Sequence, residues 1–431
     1  MDSTPTTAFP TKPQPPAAFR WTVLVLISLA MFGNYYIYDA ISPLADVLSR
    51  QLGFTDSDIG LLQAIYSITN VFMVLLGGFI IDRLGTKRST MIFAVLCLVG
   101  AAITAATPTL WIMATGRLVF GLGAESLIVA VTTAIAKWFR GKELSFAFGL
   151  NLTIARLGSF VALNSPSWAE KYFVNWQWPL FITVAFGVIC VAGAVLYWIM
   201  EAQAVGKYQI GQPGATDKIV FRDIFNFGRS YWFIVALCVT FYSGIFPFQT
   251  FAVKFFMDAH GASRQLGGFL SSMLTVFAMI ATPLFGLLAD RVGRRAQLMM
   301  YGSLLLIPVY LIMAYTHVSL YVPMAMMGIA FSMIPGIMWP SVAYIVDESK
   351  LGTAYGLMTM VQNIGLAGFN LVVGWANDVS AASAVNPGGY TMGMWIFSSL
   401  GFFAFAFAWL LRRRETGPSS HGLETITIKA H

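Results

Sequence analysis

Apolar runs of about 20 residues recur from one end of this chain to the other, each closed by a short polar turn. A run of that length crosses the ~30 Å hydrocarbon layer of a bilayer once as a helix, and backbone crossing lipid must satisfy its own hydrogen bonds. Twelve spans are expected, near 21–48, 57–81, 89–107, 109–138, 143–169, 178–200, 230–257, 263–289, 296–315, 318–346, 351–377 and 388–411. The fold class that follows is an all-α membrane protein. Composition agrees, since 57% of the 431 residues are hydrophobic and only 10% charged, against about 25% charged in soluble domains. The net charge of +7 does not imply nucleic acid, because the bases line the turns between spans. Cys97, Cys190 and Cys238 fall inside apolar runs with no metal-ligand spacing and read as small buried hydrophobes.

Lys and Arg set the orientation. Of the 26, 20 sit in the two tails and in the even-to-odd turns, such as Arg83, Lys87 and Arg88, or Arg291, Arg294 and Arg295. The opposite turns hold Arg50, Lys171 and Arg264, while Arg117, Arg156 and Lys254 lie within spans. Both termini are therefore expected in the cytoplasm. Residues 1–20 are polar and Pro-rich without a cleavable signal pattern, and read as a disordered tail; 412–431 form the other tail. The longest internal polar break, 201–229, carries GQPGATDK, a flexible linker composition. It separates a six-span bundle at 21–200 from another at 230–411.

The halves repeat. Gly78 to Lys87, GFIIDRLGTK, recurs 208 residues later as Gly286 to Arg295, GLLADRVGRR. At an offset of 207, AFGLNLTIARLGSFVALNSPSWA (147–169) matches AYGLMTMVQNIGLAGFNLVVGWA (354–376). A parallel repeat of six spans places two like bundles about an axis along the membrane normal, with a site between them near the midplane. Arg156 aligns with Asn363, so that charge belongs to one half only.

Two charges stand out by depth. Glu125 lies 14 residues before Phe139 and Arg156 lies 14 after Lys142. At ~1.5 Å per residue both sit roughly 20 Å in from one turn, near mid-membrane. A charge there costs at least ~2.5–3.5 kcal/mol and is kept for pairing or for a ligand. A salt bridge that only locks two helices and a pair that opens onto a ligand both satisfy this reading. Glu125 is the one acid expected near the midplane. Asp39, after the aromatics Tyr35, Tyr36 and Tyr38, falls in the outer third of the first span. Those tyrosines read equally as cavity lining or as helix packing. His260, His317, His421 and His431 all lie outside the expected spans, which leaves no buried histidine relay.

The G-x-x-x-D-R-x-G-x-[K/R] turns resemble the signature loop of the major facilitator superfamily. GRLVFGLGAESL (116–127), KWFRGKEL (137–144), ARLGS (155–159), NYYIYD (34–39), IFPF (245–248), WP (339–340), LGTAYG (351–356) and QNIGLA (362–367) further resemble the animal lysosomal dipeptide transporters, the family of major facilitator superfamily domain-containing protein 1. The resemblance implies two six-helix bundles working by alternating access on a small zwitterionic peptide, with no cofactor. It implies that Glu125 takes the peptide ammonium, while Arg156 and Lys254 take the carboxylate. Tyr38, Trp339, Gln362 and Asn363 join as lining or peptide-bonding candidates. It makes Asp82, Arg83, Asp290 and Arg291 conformational residues of the signature turns. Arg117, nearer the outer end than Glu125, reads as a helix-contact or gating residue. Lys254 lies close enough to the outer end to snorkel away instead.

The acidic dileucine tail of that family is missing here, so a plasma or bacterial inner membrane is favoured over the lysosome. The E-x-x-E-R motif of proton-coupled peptide carriers is missing too, where GNYYIYD (33–39) stands. A monomer is expected, and no accessory subunit is inferred. The rival from the same fold is a proton-coupled hexuronate or dicarboxylate carrier, with Arg156 and Lys254 on the anion and Glu125 as the proton site. A non-transporting receptor is a further alternative. An enzyme is disfavoured, because no nucleophile–base set or ligand cluster occurs at depth.

Overall fold

The computed structural model describes residues 13–139, 143–210 and 227–427. The tail start 1–12, the turn residues Arg140, Gly141 and Lys142, the linker stretch 211–226 and 428–431 lie outside the described residues. The first half is built from α1 (Ala17–Asp39), α2 (Ala45–Leu52), α3 (Asp56–Ala106), α4 (Leu110–Phe139), α5 (Leu144–Leu163), α6 (Ser165–Trp168) and α7 (Gln177–Lys207). The second is built from α8 (Arg229–His260), α9 (Arg264–Val292), α10 (Arg295–Tyr315), α11 (Tyr321–Ile345), α12 (Leu351–Val379) and α13 (Thr391–Glu415).

Among the described residues, eleven helical stretches are long and apolar enough to cross a membrane, against twelve expected. The difference is α3. Its 51 residues would reach ~76 Å if straight, over twice the hydrocarbon thickness. It turns back at Gly85, where φ is 75° and ψ 164°, a conformation that glycine adopts without steric cost. Counted as two arms, α3 restores the twelve crossings.

Two expected spans are broken, both at proline. The first ends at Asp39 and resumes after a 3-10 turn, Ser42–Leu44. Pro43 has no N–H to donate and its ring clashes with the carbonyl four residues back, that of Asp39. The fifth stops at Leu163, and Pro166 heads the short α6 in the same way. Its repeat partner α12 has no proline and runs on unbroken to Val379.

The ends also differ from expectation. Helix α1 begins at Ala17, inside the expected tail, and Phe19 stacks on Trp138 with ring centroids 5.8 Å apart. Helix α7 runs seven residues into the expected linker because Glu201 is buried. Lys137 Nζ lies 2.8 Å from its carboxylate, and Tyr197 Oη donates to it from one turn before. The C-terminal residues 416–427 fold back on the molecule, with Leu423 fully buried.

Within the first half, α1 packs on α5 and α7, and α3 on α4 and α7. In the second, α8 packs on α13, α9 on α11, and α10 on both α11 and α13. The halves meet chiefly along α3–α12 and α5–α9. Glycine permits the closest approaches: a Cβ on Gly60 would collide with the Asn370 carbonyl, and one on Gly268 with that of Leu163. Both contacts lie toward the end opposite the basic turns. There Lys254 pairs with Asp56, Arg264 Nη2 lies 2.5 Å from Asp46 Oδ2, and Gln265 Nε2 donates to Glu170 at 2.6 Å. The Asp378 carboxylate accepts the Asp56 and Ser57 N–H groups of α3, each at 2.8 Å. A carboxylate from one half thus caps a helix N-terminus of the other, where the helix dipole favours negative charge.

Candidate functional site

A cavity of about 280 Å³ opens between the halves at mid-height, near the lower bound of ligand pockets, about 300 Å³. The first half contributes Asn34, Tyr35, Tyr38 and Asp39 from α1, Tyr66 from α3, Glu125 and Ile128 from α4, and Arg156 and Ser159 from α5. The second contributes Tyr242, Phe246 and Gln249 from α8, Leu274 and Thr275 from α9, Trp339 from α11, and Thr359, Gln362, Asn363 and Leu366 from α12.

Helix α4 delivers Glu125 through its small residues. Gly116 and Gly123 sit where a side chain would strike the second arm of α3, and Gly121 where one would strike the first. Arg117, Gly121 and Glu125 follow at i, i+4 and i+8, so one stripe carries the arginine toward the outer end and the acid to the cavity. Arg117 is buried outside the cavity. Its guanidinium donates to Gln63 Oε1 at 2.5 Å, to Ile37 O at 3.1 Å and to Leu62 O at 3.3 Å. Ile37 is in the last turn of α1, whose carbonyls have no partner further along the helix. Arg117 therefore satisfies the helix end that the Pro43 break creates.

The two predicted charges share the cavity and are not bonded to each other. Among the described residues, no ion pair joins Glu125 and Arg156. The Arg156 guanidinium instead lies 5.6 Å from the ring centres of both Tyr35 and Phe331, a cation–π sandwich. The helix-locking salt bridge is not formed in this conformation. Both charges face the cavity.

Sequence reasoning left Asp39 aside, yet it lines the same cavity. It stands at the C-terminal end of α1, one turn after Tyr35, on the helix face that already carries Asn34, Tyr35 and Tyr38 into the cavity. Glu125 is therefore not the sole acid at this depth, and the cavity holds two carboxylates and one guanidinium. Tyr38 lines it, its ring 4.9 Å from that of Tyr66. Tyr36 does not; it stacks on Phe186 at 3.6 Å.

The second-half residues arrive already partly engaged. Trp339 Nε1 donates to Tyr242 Oη at 3.0 Å, so the indole offers its face to the cavity while its N–H is taken. Gln362 Oε1 accepts from Cys238 Sγ at 3.5 Å. Asn363 donates to Thr359 O at 3.0 Å and accepts from Asn70 Nδ2 at 3.4 Å, joining α12 to α3 across the halves. Lys254 is not brought to the cavity. Its ammonium sits on the Asp56 carboxylate at the outer closure, where Asn377 Nδ2 donates to the same group at 2.9 Å.

The signature-turn residues lie at the basic end. Arg83 stacks on Phe79, with its guanidinium 4.6 Å from the ring centre, next to the exposed Asp82. Asp290 pairs with Arg295 at 2.8 Å, and Arg291 is exposed.

Tyr66, Tyr242, Phe246, Ser159 and Asn34 escaped the sequence reading. Their signal was a polar or aromatic stripe at helical spacing, such as Asn34/Tyr38, Arg156/Ser159 and Thr359/Gln362/Asn363/Leu366. Such stripes do not tell cavity from helix contact without the neighbouring helix.

The model of the Major Facilitator Superfamily matches residues 27–369 and 248–428. The "Lysosomal dipeptide transporter MFSD1" of Danio rerio is 33% identical over 376 residues, covering 84% of this chain and 81% of that protein. The protein of the same description from Mus musculus is 34% identical over 377 residues, again 84% and 81%. Among solved structures, a bacterial homolog of the human lysosomal transporter Spinster, in an inward-facing and unoccupied conformation, aligns with TM-score 0.74 at 15% identity over 93% of this chain and 98% of that one. Duplicated signature turns, two six-crossing halves, a shared central cavity and these matches agree, and the chain belongs to the Major Facilitator Superfamily.

Proposed function

We propose that this protein carries short peptides, primarily dipeptides, across a membrane by alternating access, gripping the two peptide ends by charge. The observation that carries the reading is an unbonded acid, Glu125, and an unbonded base, Arg156, on one cavity between the halves. A dipeptide presents an ammonium and a carboxylate ~7 Å apart by chain reach. Glu125 takes the first, and the planar Arg156 fork takes the second. Tyr38, Trp339 and Phe246 supply apolar walls for the side chains, and Gln362 and Asn363 flank the peptide unit. The similarity to proteins described as dipeptide transporters supports the same substrate class. Placing both termini in the cytoplasm rests on the Lys/Arg distribution.

The anion-carrier reading is weakened because it needs Arg156 and Lys254 together, whereas Lys254 is engaged by Asp56.

Counterflow in proteoliposomes tests the reading. Dialanine is expected to exchange, while N-acetyl-dialanine and dialanine amide are expected to fail, since each leaves one cavity charge unpaired at several kcal/mol. Exchange of either blocked peptide at the parent rate would refute the end-clamp. The surplus carboxylate adds a ranking, in which alanyl-lysine competes better than dialanine and dialanine better than alanyl-glutamate. Asp39→Asn should flatten that series.

A further inference from the structure

The duplicated signature turns are held differently. At Gly85 an added Cβ would meet no heavy atom within 4 Å, whereas at Gly293, its repeat partner, one would lie 3.2 Å from the Glu424 carbonyl oxygen. That oxygen belongs to segment 416–427, which leaves α13 at Glu415 and returns over the second turn. The return is anchored at its start. His421 N–H donates to Glu415 Oε2 at 2.8 Å, and its Nδ1 lies 2.9 Å from Oε1, which also accepts from Ser230 Oγ at 2.7 Å. The end of α13, the start of α8 and the segment therefore form one joint.

It is anchored again on the turn itself. The N–H groups of Arg294 and Arg295 donate to the carbonyls of Glu424 and Leu423 at 3.2 and 3.0 Å. Arg294, the residue preceding α10, is left-handed at φ 52° and makes no side-chain cap. The Glu424 carboxylate accepts the Gln297 N–H at 3.1 Å, doing from a distance what a capping Ser or Asp does locally. Arg295 is buried at the centre. It donates to Ile426 O at 2.6 Å and to Asp290 Oδ1 at 2.8 Å, and its guanidinium lies 4.7 Å from the Tyr344 ring centre.

We propose that segment 416–427 is a strap that holds Arg295 on Asp290, withholds that carboxylate from the seam between the halves, and so brakes closure of the basic end. Among the described residues, the first signature turn carries no such cover at Gly85, so the two turns differ in this contact. The Asp290–Arg295 ion pair is satisfied inside its own half for as long as the strap is seated. Releasing it removes the carbonyl acceptor of Arg295 and the distal cap of α10 together.

Pulsed electron–electron resonance between spin labels on exposed Arg88→Cys and Tyr301→Cys reads the separation of the basic ends; the native cysteines are all buried. Truncation after Gly417 is expected to add a population at shorter distance, with faster amide exchange at 293–298. Full-length Glu424→Gln, which keeps the chain and weakens only the cap, is expected to do the same to a smaller extent and decides the matter if the truncated chain does not fold. A distance distribution unchanged by strap release overturns the proposal. Neither readout involves a ligand, so failure of the dipeptide reading would leave this result standing, and the reverse.

Discussion

Arg156→Gln is expected to lower dipeptide exchange by about 30- to 4,000-fold, the loss set by truncating one partner of a desolvated charge pair at roughly 2–5 kcal/mol. The guanidinium is spread between two aromatic faces and bonded to no carboxylate, so its removal breaks no observed salt bridge of the empty protein. Stability should move by less than binding does. The diagnostic is the pattern over ligands. With the parent, dialanine should bind better than its amide; with Arg156→Gln the two should bind alike, because the group that tells them apart is gone. Glu125→Gln should erase discrimination at the other end, between dialanine and its N-acetyl form. Thermal-shift titrations of the four combinations suffice. If Arg156→Gln still prefers the free carboxylate by the parent factor, the carboxylate is bound elsewhere and the assignment of ends is wrong.

The second large effect belongs to the outer closure. Asp56→Asn is expected to open that end, because it leaves Lys254 with an uncompensated charge among buried groups. Both side chains are at least 88% buried, Lys254 being 12% and Asp56 2% exposed. Breaking one partner of such a pair costs about 3–5 kcal/mol, which shifts a two-state equilibrium by roughly 10²- to 4 × 10³-fold. Leu274→Cys, on the cavity wall, reports the opening. A membrane-impermeant thiol reagent added from the outer side should label it far faster in the Asp56→Asn background. Asp378→Ala, removing the cross-half cap from α3, should act in the same direction with about 1 kcal/mol. Swapping the charges, Asp56→Lys with Lys254→Asp, should recover part of the closed state. Unchanged labelling in Asp56→Asn would show that the glycine contacts of α3–α12 and α5–α9 hold the closure without the ion pair.

These two effects divide residues that looked alike in the sequence. Arg156 and Lys254 both read as buried bases bound for one carboxylate, yet one is at the cavity and the other at the seal above it. Their separation follows from depth. Lys254 is six residues from the end of α8 at His260, about 9 Å along the axis. That is the height of the α3 N-terminus, where Asp56 waits.

Much was legible before any coordinates. Span number, the two-bundle repeat and the depth of Glu125 and Arg156 depend on one dimension, distance along a helix, which residue count measures directly at 1.5 Å per residue. Even the turn of α3 was written in the glycine of its signature loop. What tertiary structure alone decided is azimuth and neighbour: that Arg156 stacks on rings and leaves Glu125 unpaired, that Lys254 closes on Asp56, that the last twelve described residues clamp the second turn. The break at Pro43 belongs to the same class, since its consequence was to hand the freed end of α1 to Arg117. Such outcomes depend on which face each helix turns to the next and on contacts hundreds of residues apart in sequence. A one-dimensional pattern holds the height of a side chain in the membrane, while its partner is chosen by packing.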